Sequence, residues 1–260
     1  MEMTVVVASV ALLVSLSTPA IRTFFDSLTT RDTARAMIDA ALSSARATAA
    51  KEQRYAGIRF QKAYHPQGPL YGFQYMIFIM HDPEATTLAS GFRAVQDLKP
   101  VKLPEGVGVM DLKLGTVFAE IASDTDILEP WQLTDTTSFS VVFSPSGKML
   151  IHDVRIRNRD GIIDSSGNVN LSLDDVFNKK AQVDTGNAMF YQDDYSAEWW
   201  SPYPNLGLGG EASRSSFVIY EEDKFQQAYQ RGQAYSGYLR QLVSQMVYIN
   251  SYTGRIISGD

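Results

Sequence analysis

The chain has 260 residues, 45% hydrophobic and 20% charged, enough to bury a substantial core in one or two domains and too apolar for a disordered protein. Its net charge of −6 argues against a nucleic-acid partner, because neutralising phosphates takes clustered Lys and Arg that the sequence lacks. It has no cysteine, which excludes a disulfide framework and thiolate metal sites but leaves the redox compartment open.

From Met3 to Ile21 no side chain is charged. A helix of these residues would be about 28 Å long at ~1.5 Å per residue, close to the thickness of a bilayer's hydrocarbon core. Val5, Val6, Val7, Val10, Leu12, Leu13, Val14 and Leu16 leave no polar face, so the segment belongs in lipid or among other helices. Thr18-Pro19-Ala20 offers the small residues of a signal-peptide cleavage point. However, Glu2 stands where a basic leader region belongs, and the nearest cation, Arg22, lies beyond the run. As a plain anchor, with Arg22, Arg31 and Arg35 following it, the segment would hold the remainder in the cytoplasm unless an upstream basic leader directs export.

The stretch Glu2-Met3-Thr4-Val5-Val6-Val7, the apolar run through Leu16 and then Pro19-Ala20-Ile21 resemble the N-terminal helix of type IV pilins and type II secretion pseudopilins. That family carries a basic leader ending in glycine, a glutamate soon after the cut and a proline about five turns further on. Glu2 and Pro19 match in type and spacing. The leader, its glycine and the first mature residues are expected to precede Met1.

The resemblance implies that Glu2 meets the N-terminal amine of a neighbouring subunit in a filament, while Val5, Leu12, Leu13 and Leu16 pack against lipid and then against neighbouring helices. A carboxylate in hydrocarbon costs several kcal/mol, which such pairing relieves. The bland alternative keeps Glu2 wet at the membrane interface. The resemblance also implies a bacterial inner-membrane precursor, a prepilin peptidase, an inner-membrane assembly platform, and self-association or association with related pilin subunits in a surface or periplasm-spanning filament. It implies no cofactor and no catalytic residue.

Pro19 lacks an amide hydrogen, so a helix passing through it should kink or locally melt. Residues 25–54 read as a continued, amphipathic helix with a weak point at Ser27 to Thr30 and a cap at Thr30 or Thr33. Met37, Ile38, Ala41, Leu42, Ala45 and Ala49 recur on one face, while Arg35, Asp39, Ser43, Arg46 and Lys51 decorate the other. The Ala45-Arg46-x-x-Ala49 core with a following strand is similar to the pseudopilin H and FimT-like subfamily.

Residues 55–260 read as a β-rich head, separated by Pro, Gly, Asn and Asp punctuation into strands from Tyr55, Tyr71, Phe92, Val107, Ser138, Met149 and Ser216. Pro145-Ser146-Gly147-Lys148 predicts a hairpin turn. The alternation from Ile151 to Arg157 predicts one half-buried antiparallel strand. A helix from about Asp223 with Phe225, Tyr229, Tyr238, Leu239, Leu242 and Met246 on its apolar side, weakened by Gly232 and Gly237, precedes a short strand ending near Ile257. The expected fold class is therefore α+β: a hydrophobic helix over 1–24, an amphipathic helix over 25–54, and a pilin-like antiparallel head with a C-terminal helix.

Residues 161–210 show little periodicity and read as loops. Asp193, Asp194, Trp199, Trp200 and Tyr203 form a candidate ligand or subunit contact, with aromatic packing onto the sheet as the alternative. Asp160, Asp164, Asp174 and Asp175 are candidate calcium ligands without EF-hand spacing, and solvated loop acids are the simpler reading. His65, His81 and His152 stand alone in sequence, without an H-E-x-x-H, and read as surface or satisfied core histidines. No serine-hydrolase elbow or phosphate-binding loop is present. The favoured function is a filament subunit, and the alternative is a membrane-tethered binding or enzymatic domain.

Overall fold

Helix α1 covers residues 30–52 of the computed structural model, which describes residues 30–63, 65, 67–86, 89–95, 98–114, 119–156 and 211–258. Ala34, Ile38, Ala41, Leu42, Ala45 and Ala49 recur at three- and four-residue steps and are all buried. Their small side chains let the strands beneath approach closely, and Ile38 and Leu42 fill the space between. The helix ends at Gln53, whose φ of 53° reverses the chain. Its side-chain amide donates to the Ala50 carbonyl at 2.6 Å, satisfying one of the acceptors left over at a helix end.

The strands follow in order as β1 (Ala56–Lys62), β2 (Gln74–His81), β3 (Gly91–Ala94), β4 (Val101–Lys102), β5 (Val107–Met110), β6 (Lys113–Leu114) and β7 (Ala119–Glu120). Next come β8 (Phe139–Phe143), β9 (Met149–Leu150), β10 (Asp153–Ile156), β11 (Glu211–Ala212), β12 (Ser216–Glu221), β13 (Val247–Ile249) and β14 (Ile256–Ser258). The remaining helices are a single turn α2 (Pro83–Thr86), then α3 (Pro130–Thr137) and α4 (Glu222–Gln230). The C-terminal helical stretch after α4 is a π-helical turn, Tyr235–Leu239, running into Arg240–Leu242.

The larger sheet has the order β11-β10-β3-β2-β1-β8-β9, with β4 also paired to β2. Strand β1 lies near its centre, with Ile58 opposite Phe78 on β2 and Val141 on β8. The second sheet runs β14-β13-β12-β5, and β6 and β7 form a separate two-stranded ladder. Ile58, Phe60, Met76, Phe139 and Val141 from the large sheet join Val107, Val109, Phe217, Ile219, Val247 and Ile249 from the second sheet around the buried face of α1. The opposite face of the second sheet, through Met110, Val218 and Tyr220, packs on Leu133, Phe225, Ala228, Leu239 and Leu242 of the later helices. Gly108 is required there, since a Cβ at that position would lie 2.4 Å from the Tyr220 ring.

The described head is thus α+β, with a sheet that is mostly antiparallel. Several strand expectations need correction. The strand foreseen from Met149 is broken at Ile151 and His152: β9 pairs with β8, whereas β10 pairs in parallel with β3 and antiparallel with β11. Val154 and Ile156 are buried as the alternation required, so the face was legible but the partner was not. The strand from Val107 stops at Met110, because Leu112 turns the chain with a φ of 56°. Residues Pro69–Tyr71 form a 3₁₀ turn, and β2 starts only at Gln74.

Helix α3 was not foreseen, since its Thr-rich sequence has weak helical propensity. Pro130 opens it, and Gln132 Oε1 accepts the amides of Leu128 and Glu129, both at 2.8 Å. The C-terminal helix is interrupted after Gln230, at Arg231 to Gln233, where Gly232 takes a φ of 67°. Strand β13 was also missed. Pro145 to Lys148 form the expected turn, with Gly147 at a φ of 74°.

Candidate functional site

The sequence-derived candidates for filament assembly, Glu2, Val5, Leu12, Leu13, Leu16 and Pro19, lie outside the described residues. So do Asp160, Asp164, Asp174, Asp175, Asp193, Asp194, Trp199, Trp200 and Tyr203. No helix among the described residues is long and apolar enough to cross a membrane. The described site therefore has to be built from other residues.

The charged flank of α1 proves to be a docking surface too. Arg46 is half-buried, and its guanidinium donates from Nε to the Gly147 carbonyl at 2.8 Å and from Nη1 to the Thr253 carbonyl at 3.0 Å. Asp39 Oδ1 accepts the Ile256 amide at 3.1 Å. The expectation that both residues merely decorate a solvated face is corrected by these contacts. They fix the rotation of the helix about its own axis, which apolar contacts alone leave soft.

Where α1 begins, it meets α4 and the helical turns that follow. These elements enclose a surface cleft of about 500 Å³, lined by Arg31 from α1, Lys224 and Arg231 from the α4 region, and Tyr238 and Gln241 further on. Glu221, the one carboxylate in the lining among the described residues, is already paired with Lys224 at 2.8 Å. Arg31 and Arg231 make no ion pair among the described residues, so the cleft presents two guanidiniums to whatever enters it. The Tyr238 hydroxyl accepts the Glu221 amide at 2.8 Å. Burial pushes its pKa up to about 12 against the opposing pull of the Glu221 amide, so the phenol stays neutral at physiological pH. The far end of this helical layer is held by Asp124, which accepts the Tyr235 amide at 2.7 Å and the Ser236 hydroxyl at 2.6 Å. These bonds, with Ser236 contributing most, hold its carboxyl below the ordinary value.

A second polar feature lies on the face of the large sheet turned away from α1. Arg59 points there from β1 and forms an ion pair with Glu211 of β11, while its Nε donates to Gln61 at 2.9 Å. Nearby, Arg214 Nε donates to Asp111 Oδ2 at 2.6 Å, and the Lys113 amide donates to Asp111 Oδ1 at 3.0 Å. Burial raises the Asp111 pKa to about 7 against the pull of Arg214. Arg214, although burial works against its charge, is held above its ordinary value by Asp111 and Glu211. Arg59, Asp111 and Arg214 are each under a tenth exposed. This layer has no local mark in the sequence, because the partners of Arg59 and Asp111 lie 152 and 103 residues away.

The structure also corrects the view of the histidines as solitary. His81 and His152 lie with ring centroids 5.7 Å apart, whereas His65 packs beside Tyr71. No group of three or more His, Cys, Asp or Glu among the described residues is arranged to hold a metal ion. Compared with known proteins, the chain matches no family model, no curated protein and no solved structure.

Proposed function

We propose that this chain is a structural subunit of a type IV pilus-like or type II secretion pseudopilus filament. The supporting observation joins sequence to structure. An uncharged apolar run from Met3 to Ile21, with Glu2 at its tip, leads into a helix whose entire inner face is buried in a mostly antiparallel head. Such a chain holds its head on α1 and leaves the apolar run ahead of it for other partners. In the precursor those partners are lipids of the inner membrane; after processing and delivery through the assembly platform they are the helices of neighbouring subunits. The same hydrophobic surface serves both states, and Glu2 supplies the charge that selects a paired, in-register neighbour over lipid.

In this reading the cleft beside the start of α1, with its two guanidiniums, faces the next subunit. The test is Glu2→Ala in a host carrying the export machinery, with sheared filaments counted by electron microscopy and head folding checked by protease resistance. Filaments should be lost while the head stays folded, and normal filaments would remove the mechanism.

A second reading is a membrane-tethered binding domain, favoured by that same cleft, since paired guanidiniums suit a carboxylate or another anion. Replacing residues 1–24 by an unrelated spanning helix separates the two: a tethered domain keeps its function, and a filament subunit loses assembly.

A further inference from the structure

His81 ends β2, and His152 sits in the break between β9 and β10, so the fold brings together, at one end of the large sheet's strands, two rings that are 71 positions apart in sequence. Each ring already makes one hydrogen bond to a backbone carbonyl: His81 Nε2 to Ala89 at 2.8 Å and His152 Nδ1 to Asp153 at 2.6 Å. A carbonyl can only accept, so those two nitrogens carry the hydrogens. In the neutral rings the lone pairs are thereby assigned to His81 Nδ1 and His152 Nε2, neither of which is bonded to another described residue. Fixing the tautomer by donation to a carbonyl is how proteins ready an imidazole for a metal.

The rings are also held in place. Tyr55 packs on both, with centroids 4.4 Å from His152 and 5.8 Å from His81. Phe92, fully buried, packs at 5.6 Å and 5.3 Å from the same two rings. Both histidines remain half-buried, which leaves an edge open to solvent. Their spacing suits a shared ion, because two imidazoles on one tetrahedral centre with bonds of about 2.0–2.1 Å have centroids about 5–6 Å apart. The neighbouring carboxylate, Asp82, is occupied by Arg93 at 2.6 Å and Arg54 at 3.5 Å and is not free to join.

We propose that His81 and His152 form a two-histidine site for a divalent first-row transition ion, bound through His81 Nδ1 and His152 Nε2 with water completing the coordination. Nitrogen donors without thiolate suit Zn²⁺ and Cu²⁺, with Cu²⁺ the tighter of the two. The ion would tie the end of β2 to the chain crossing from β9 to β10, a link otherwise made by packing and by the short parallel pairing of β10 with β3. This proposal is independent of the filament reading.

The test uses the full chain in detergent micelles, stripped with a chelator and titrated with Zn²⁺ and with Cu²⁺. One equivalent should bind and raise the melting temperature. Affinity should fall at least about tenfold, one ligand's worth of binding, in His81→Ala and in His152→Ala, and should be unchanged in His65→Ala. Electron paramagnetic resonance of the Cu²⁺-loaded wild type should show two coordinating imidazole nitrogens, a readout that does not depend on either variant folding. A spectrum with one or none, equal binding by the single variants, or no binding by the wild type at millimolar ion would each overturn the site.

Discussion

Arg46 on α1 reaches the carbonyl of Gly147, 101 residues later, with its Nε at 2.8 Å. The acceptor is available because Gly147 takes a φ of 74° in the tight turn after β8, and a Cβ there would approach Arg46 Nε to 3.1 Å. Arg46→Ala should cost about 1–3 kcal/mol, since it leaves two carbonyls without their charged donor. Lysine should not restore the loss, because one ammonium cannot reproduce the fork that serves both Gly147 and Thr253. Chemical denaturation of the full chain in detergent checks both variants.

Leu42 is completely buried beneath both sheets. Leu42→Ala should cost about 2–5 kcal/mol, the range for a buried leucine whose surroundings relax only in part. Ser43→Ala, on the exposed face one residue on, should stay within about 0.5 kcal/mol. A comparable loss from both would mean that α1 is not held by this face, and the denaturation midpoint decides it.

Gln74 joins the two sheets through one side chain. Its Nε2 donates to the Val109 carbonyl at 3.0 Å and the Thr137 carbonyl at 2.7 Å, and its Oε1 accepts the Val109 amide at 2.6 Å. Gln74→Leu keeps the approximate volume but strands buried backbone groups at about 1–3 kcal/mol for each one left unsatisfied. The amide of Val109 should exchange with solvent faster in the variant, which hydrogen exchange with mass spectrometry reads directly.

Asp111 gives the head a pH dependence of defined sign. Its carboxyl has a pKa of about 7 when folded against an ordinary 3.8, so between these values the folded chain holds a proton that the unfolded chain has released. Stability from this group is full below the ordinary value and declines as pH rises towards 7. Melting temperatures between about pH 5 and pH 8 should fall with rising pH, and Asp111→Asn should flatten that slope. A wild-type slope of the opposite sign would mean that Arg214 outweighs burial.

Much of the head's local structure was legible because it rests on periodicity. The face Ile38, Leu42, Ala45 and Ala49, the strands around Ile58, Val141 and Ile219, and the turn at Gly147 all follow from spacing along the chain. What was not legible depends on distant partners. The break at Ile151 and His152 arises because β10 leaves β8's neighbourhood to lie parallel to β3, a choice with no local mark. The half-buried flank of α1 looked solvated because Asp39 and Arg46 are charged, and the donor to Asp39 and the acceptor of Arg46 lie more than a hundred residues away. The histidines looked solitary for the same reason. The cleft depends on Arg31 and Arg231, each an ordinary surface cation in sequence.

The socket for α1 is finished by a segment far along the chain. Thr253 and Ile256, 207 and 217 residues beyond Arg46 and Asp39, make two of its polar contacts, and Val247 and Ile249 close its apolar side. Until that distant segment is in place, α1 carries its alanine and leucine face uncovered. Contacts that span so much sequence make for slow closure, and an uncovered apolar face is prone to stray association in the interval. Timing, as much as affinity, thus decides what α1 meets while its socket is still unfinished.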